Sequence, residues 1–264
     1  MKWSEKAERT IKKVPFFVRT KVKKKIEQYV AQKGKTYVEL SDVNELKKRF
    51  LSAEGMEKEI KGYEISTCFG SSGCANVANS CKDIARDIEQ FIEKEDILCF
   101  LKDHVKGSLK FHHEFRITLS DCPNACSRPQ IVDIGVIGAV LPGLSQESCM
   151  LCNACVETCD ENAVYFNKGA EKPFIDYDKC VMCGKCIKVC PSQTLKEKEK
   201  GFRVLLGGRL GRHPRLAMDV PGIKSHDEVL KIVIKCVEFY KENSEDGRRF
   251  ADILISVDQI LVTK

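Results

Sequence analysis

The chain has 264 residues, 43% apolar and 31% charged, with a formal net charge of +6, the composition of an ordinary soluble globular protein with room for one large domain or two to three small ones. No apolar stretch approaches the roughly 18 residues of a membrane span, and the opening "MKWSEKAERTIKK" has no apolar core of a signal peptide, so no membrane partner and a cytoplasmic location are expected. Fifteen cysteines in a chain expected to stay in a reducing compartment argue for metal rather than disulfides.

Residues 1–52 read as a small helical domain. Within residues 1–50, 15 Lys and Arg stand against 6 Asp and Glu, so the basic excess belongs to this segment. Val18, Val22, Ile26, Tyr29 and Val30 recur at helical spacing, and Gly34 is placed to stop that helix. Pro15 falls between the first two of three helices, and Ser41 reads as the N-cap of the third, whose apolar face is Val43, Leu46 and Phe50. A basic three-helix unit has the outline of a nucleic-acid binder, but lysine-rich helix faces are usually just solvated, so nucleic acid is not the expected partner.

Residues 53–145 turn mixed. A helix over 79–94 carries Ile84, Ile88, Phe91 and Ile92, and "EFRITLS" alternates Phe115, Ile117 and Leu119 on one face of a strand. Residues 146–198 hold eight cysteines in an internal repeat. Residues 199–264 resume with a strand, a glycine turn and a basic loop, "GFRVLLGGRLGRHPRLA", and then a helix to about residue 243 with a capping box from Ser225 and Glu228. This order predicts an α+β fold with an inserted module.

The repeat reads "CMLCNACVETC" and "CVMCGKCIKVCP". Two C-x2-C-x2-C-x3-C runs are the spacing of a bacterial-type two-cluster ferredoxin, in which the fourth cysteine of each run serves the other cluster. Cys149, Cys152, Cys155 and Cys190 are thus expected on one 4Fe–4S cluster, and Cys180, Cys183, Cys186 and Cys159 on a second. Zinc rarely uses three cysteines in such a run. Asp160 closes the first run where Pro191 closes the second. Cys81, Cys99 and Cys236 fit no motif and read as buried thiols.

Two more cysteine pairs fit neither zinc nor ferredoxin spacing: "CFGSSGC", with Cys68 and Cys74, and "SDCPNACSRPQIVDIGVIG", with Cys122 and Cys126. A C-x5-C with a distant C-x3-C resembles the pattern of siroheme-dependent sulfite and nitrite reductases, and the "CPNxC…DIG" wording is most similar to the sulfite reductase branch. "VLLGGRLGRHPRLA" resembles the loop after an inserted ferredoxin in dissimilatory sulfite reductases and their small relatives. The resemblance covers roughly residues 53–264. Residues 1–50, through Trp3, Ala7, Pro15, Phe17, Val18, Arg19, Glu27 and Gly34, resemble the small helical domain of the light-independent protochlorophyllide reductase B subunit.

The resemblance implies a third 4Fe–4S cluster on Cys68, Cys74, Cys122 and Cys126, with Cys126 bridging to siroheme. It implies reduction of sulfite to sulfide, or of nitrite to ammonia, with Lys61 and Arg116 as basic groups on the substrate side. Arg128, Arg209, Arg212, His213 and Arg215 become candidates for the carboxylates of siroheme, since arginine suits bidentate anion binding. Glu114 stands where the family has the first of two lysines, and "CFG" replaces "CPG", which keeps open a second reading as an electron-transfer protein without turnover. Electrons would come from an external low-potential donor, and no nucleotide fingerprint points to NAD(P)H on this chain. Full-size members of the family hold siroheme between two related halves; this chain has room for one, which implies completion by a second copy, in a homodimer, or by residues 1–50 folding over the cofactor, with the homodimer as the expectation.

Overall fold

The computed structural model describes residues 1–12, 14, 16–51 and 60–262, with the backbone alone at 16–18 and 49–51. The expected turn at Pro15, the side chains of Val18 and Phe50, and the expected boundary between residues 52 and 53 lie outside the described residues. The chain divides into two compact units, residues 1–61 with 105–112, and residues 62–104 with 113–264.

The first unit has helices α1 (Glu5–Lys12), α2 (Phe16–Gln32) and α3 (Leu40–Leu51), and two short parallel strands, β1 (Lys2–Trp3) and β2 (Tyr37–Val38). Ala7, Ile11, Ile26, Tyr29, Val30, Val38 and Val43 form its core. Gly34 takes the left-handed conformation (φ 73°) just beyond α2, where a residue with a Cβ would be strained. Ser41 is not the cap of α3, because the helix already includes Leu40. The Asp42 carboxylate instead reaches back to accept the Glu39 N–H at 2.9 Å, satisfying a donor at the helix start.

The second unit is a five-stranded sheet in the order β3-β4-β5-β8-β9. Strands β3 (Tyr63–Thr67), β4 (Phe115–Ser120) and β5 (Ile134–Leu144) are parallel neighbours, whereas β8 (Leu195–Leu206) and β9 (Met218–Asp219) join antiparallel. Helices α4 (Lys82–Lys94) and α5 (Ile97–His104) make the connection between β3 and β4. The inward face of β4 meets the long helix α8 (His226–Asn243) and the short α9 (Phe250–Ile253), with Phe115 5.2 Å from Tyr240 and 5.5 Å from Phe250, centroid to centroid. These buried rings anchor the core; fully burying one such side chain is worth about 1.5–3 kcal/mol. Both halves of the Ser225–Glu228 capping box form at the start of α8.

β5 and β8 pair along their whole length, from Ile134↔Leu206 to Leu144↔Leu195, so residues 145–194 are inserted at the tip of one long hairpin. The insert has short helices α6 (Ala154–Glu157) and α7 (Lys185–Lys188), and a two-stranded sheet of β6 (Val164–Tyr165) and β7 (Phe174–Ile175). Among the described residues no helix is long and apolar enough to cross a membrane.

Candidate metal centres

Parallel, in-register strands bring the residues that follow them to one edge of the sheet. Thr67↔Leu119 is the last pair between β3 and β4, and Cys68 and Cys122 follow within three residues. The Cys68 N–H donates to the Leu119 carbonyl at 3.0 Å. Its sulfur accepts N–H groups from Gly70 at 3.4 Å and Asp121 at 3.3 Å. A 3-10 turn at Gly70–Ser72, closed by left-handed Gly73 (φ 118°), returns the chain to Cys74. On the other loop, left-handed Ala125 (φ 51°) and Arg128 (φ 61°) curl the chain around Cys126. Burial pushes the Cys122 thiol up, and Cys126, Cys68 and Cys74 all lie near enough to add to the shift. The two loops thus leave the same edge of the sheet, with Cys122 buried and Cys126 exposed.

The two ferredoxin-like runs adopt the same loop. Leu151 (φ 54°) and Asn153 (φ 60°) in the first match Met182 (φ 61°) and Gly184 (φ 69°) in the second. Burial pushes up the Cys155 thiol, with Cys190 and Cys149 contributing. Burial also pushes Cys186 up to about 12, with Cys183, Cys180, Cys159 and, last, Cys155 adding to it. A cavity of about 110 Å³ is lined by Cys159, Cys180, Cys183 and Cys186, together with Asp160, Lys185, Pro123 and Asn124. Backbone N–H groups point at the sulfurs here too: Leu151 to Cys149 at 3.4 Å, Ala163 to Cys159 at 3.3 Å and Leu195 to Cys190 at 3.4 Å. Desolvation would raise the Cys190 thiol, but the Leu195 N–H and the Ser192 hydroxyl outweigh it and hold the thiol below its ordinary value.

Among the described residues no three His, Cys, Asp or Glu side chains close on one point as the ligands of a single ion do. The set of Cys159, Cys180, Cys183 and Cys186, around a cavity and with the Ala163 N–H aimed at the Cys159 sulfur, has the donor chemistry of an iron–sulfur site, whose potential such hydrogen bonds tune. The insert lies against the sheet: the Val140 N–H donates to the Met182 carbonyl at 2.8 Å, Lys188 Nζ donates to the Val77 carbonyl at 2.7 Å, and Ile187 packs on Ala78, Cys122 and Val140.

The basic candidates separate. Arg128 is exposed two residues past Cys126. The loop after β8 is tied beside it, with the Ala217 N–H on the Gln130 carbonyl at 2.8 Å. Gly208 is needed at that contact, because a Cβ there would lie 2.5 Å from the Gln130 oxygen. Arg212 and His213 are exposed at the tip of this loop, flanked by exposed Leu210 and Leu216. Arg209 donates to the His213 carbonyl at 2.9 Å and pairs with Asp252. Arg215 turns inward and donates to the carbonyls of Gly207, Ala251 and Leu254 at 2.7–3.1 Å, which makes it a strut for the loop. Arg116 is not brought to the thiols: it sits near the far end of β4, its guanidinium 3.3 Å from Glu64, and the five residues to Asp121 span roughly 16 Å of extended chain. Lys61 falls in the first unit. Cys81 and Cys236 are buried as expected, whereas Cys99 is exposed on α5.

Sequence reasoning passed over Asp121, whose carboxylate accepts the Cys81 N–H at 2.8 Å, and Asp133, whose carboxylate accepts the Arg116 N–H at 2.9 Å. Both stand inside the "SDCPNACSRPQIVDIGVIG" stretch, and their burial was the missing signal. Residues 63–258 match the family described as nitrite and sulphite reductase 4Fe-4S domain. The chain belongs to that family. Residues 3–47 match the family of the proto-chlorophyllide reductase 57 kD subunit. The chain is 32% identical over 186 residues to the coenzyme F420-dependent sulfite reductase of Methanocaldococcus jannaschii, covering 69% of this chain and 27% of that protein. It is 26% identical over 233 residues to the C subunit of the anaerobic sulfite reductase of Salmonella typhimurium, covering 81% of this chain and 64% of that one. The fold is similar to the crystal structure of dissimilatory sulfite reductase I, with TM-score 0.52 and 17% identity over 76% of this chain and 52% of that one. The chain is therefore an α+β member of the nitrite and sulphite reductase family that spans about a quarter and about two thirds of the two relatives' lengths.

Proposed function

We propose that this protein is a siroheme- and iron–sulfur-dependent oxidoreductase that reduces sulfite, with nitrite as the alternative substrate. Cys68, Cys74, Cys122 and Cys126 would hold one 4Fe–4S cluster, and the two crossed sets of the insert would hold two more. Siroheme, when bound, would supply an open iron face for the six-electron reduction, and the clusters would supply electrons to it. The observation that carries the reading is Cys126: of its thiol group it is exposed, and exposed Arg128 stands beside it with the tethered loop of Arg212 and His213 nearby. An anionic macrocycle over Cys126 would find cations in Arg128, Arg212 and His213 and apolar cover in Leu210 and Leu216, while Arg209 and Arg215 hold the loop in shape. The set of Cys159, Cys180, Cys183 and Cys186 lies nearer the Cys122 loop, since Pro123 and Asn124 line the same cavity. The set of Cys149, Cys152, Cys155 and Cys190 would face the external donor, for which exposed Cys152, Met150 and Leu151 offer an edge.

Anaerobically purified protein should show siroheme absorption and about twelve cluster irons plus one in the macrocycle. Cluster iron without any tetrapyrrole would sink the enzymatic reading.

A second reading, an electron-transfer protein without substrate turnover, is favoured by the Arg116–Glu64 ion pair, which engages a candidate substrate-side cation. Assays with a reduced dye and sulfite or nitrite decide between them: turnover of either substrate rules out the relay.

A further inference from the structure

Asp160 stands where the second run of the insert has Pro191. Its carboxylate lies 2.7 Å from Lys185 Nζ. Both line the 110 Å³ cavity, one wall of which is the thiol set of Cys159, Cys180, Cys183 and Cys186, while another is Pro123 and Asn124, between Cys122 and Cys126. Lys185 thus stands at the seam between two thiol sets. The neighbouring Lys188 has a different task, since its ammonium is bonded to the Val77 carbonyl.

We infer that Lys185 is a positioning charge for electron transfer, raising the reduction potentials of both the insert's sheet-side cluster and the Cys122 cluster, and that Asp160 sets how much of that charge the clusters feel. The inference rests on the proposed cluster sites. A four-thiolate cluster is an anion that gains a further negative charge on reduction, so a nearby cation favours the reduced form. One cation beside two clusters attracts the electron on each and so offsets part of the repulsion when both are reduced, which suits a reduction that consumes six electrons. No bond or proton changes hands: one electron leaves one cluster as one arrives on the other, and the external donor replaces it. Lys185 is about one third exposed, at 34%, so solvent screens part of the effect.

The test is a redox titration followed by electron paramagnetic resonance on anaerobically purified full-length protein, with iron content measured in parallel. Lys185→Gln should lower the reduced-to-oxidised ratio of both clusters at a fixed potential by on the order of tenfold, about 59 mV for a one-electron couple. Lys185→Arg should titrate as the wild type, and Asp160→Asn should shift both clusters upward. Unmoved potentials in Lys185→Gln, a shift confined to one cluster, or an equal shift in Lys185→Arg would overturn the inference. Should Lys185→Gln fail to retain iron, Asp160→Asn decides alone, and an unmoved or lowered potential there refutes it. A wild type without clusters refutes it as well. Missing siroheme refutes the enzymatic reading and leaves this one standing, because the potentials are read on the clusters themselves.

Discussion

Gly138, in the middle of β5, is required by space. A Cβ at this position would lie 2.2 Å from the Asn79 carbonyl oxygen and 2.7 Å from that of Asp121. Both obstacles are backbone, so neither can rotate away as a side chain would. Reaching the roughly 3.3 Å of a close carbon–oxygen contact requires a retreat of about 1 Å. The Asp121 carbonyl accepts the Ala78 and Asn79 N–H groups at 2.9 and 3.1 Å, and such a shift breaks both bonds. Two lost hydrogen bonds at about 1 kcal/mol each, with overpacking at about 1–3 kcal/mol, place Gly138→Ala about 3–5 kcal/mol below the wild type. The damage falls on the segments that carry Cys74 and Cys122, so the variant should also lose about four of its irons while the insert keeps about eight. Urea unfolding and iron analysis of the purified variant check this. A midpoint and an iron content equal to the wild type's would refute the close-approach argument.

Ser225→Ala removes the side-chain acceptor of the α8 capping box and should cost about 1 kcal/mol, read as a lower urea midpoint at unchanged slope. The Ser225 N–H, and then its hydroxyl, hold the Glu228 carboxyl below its usual 4.5. This contribution to stability is therefore present above pH 4.5 and fades as pH falls through the lower folded value, and Glu228→Gln should flatten that acid limb of the stability–pH profile. Cys126→Ser should abolish siroheme absorption and keep the cluster signals of the insert; retained siroheme would remove Cys126 from the site. Light scattering on cofactor-loaded protein should give a dimer, and an active, siroheme-replete monomer of 29.8 kDa would refute it.

Local signals in the sequence survived where local physics decides the outcome. The spacing of Ile84, Ile88 and Ile92, the alternation of Phe115, Ile117 and Leu119, the stop at Gly34 and the Ser225–Glu228 box all appear in the fold. What was not legible depends on partners remote in sequence. Arg215 reads as a free charge until Ala251 and Leu254 present it with carbonyls. Arg116 stands in the sequence as a substrate-side candidate, with no sign that Glu64 faces it from the neighbouring strand. Cys99 fits an apolar helix by pattern, yet α5 turns it outward. Ser41 was a sound cap by type, displaced because Asp42 was within reach of the same turn.

The position of the insert bears on how the protein is made. Its ends, Leu144 and Leu195, are paired neighbours in the sheet, so the hairpin can close before the segment between them has any order. That segment has little apolar material: it brings Cys155, Val164, Ile175 and Cys186 to a buried cluster closed by Leu195 of β8, and two of its four are cysteines. A core built partly on thiols leans on the metal for its folding free energy. On the proposed cluster sites, the sheet would mature first and wait, with the insert as a tethered, unfolded loop, until iron and sulfide arrive. Iron starvation would then yield a folded frame with a protease-sensitive tip, a state that limited proteolysis would register as cuts confined to residues 145–194.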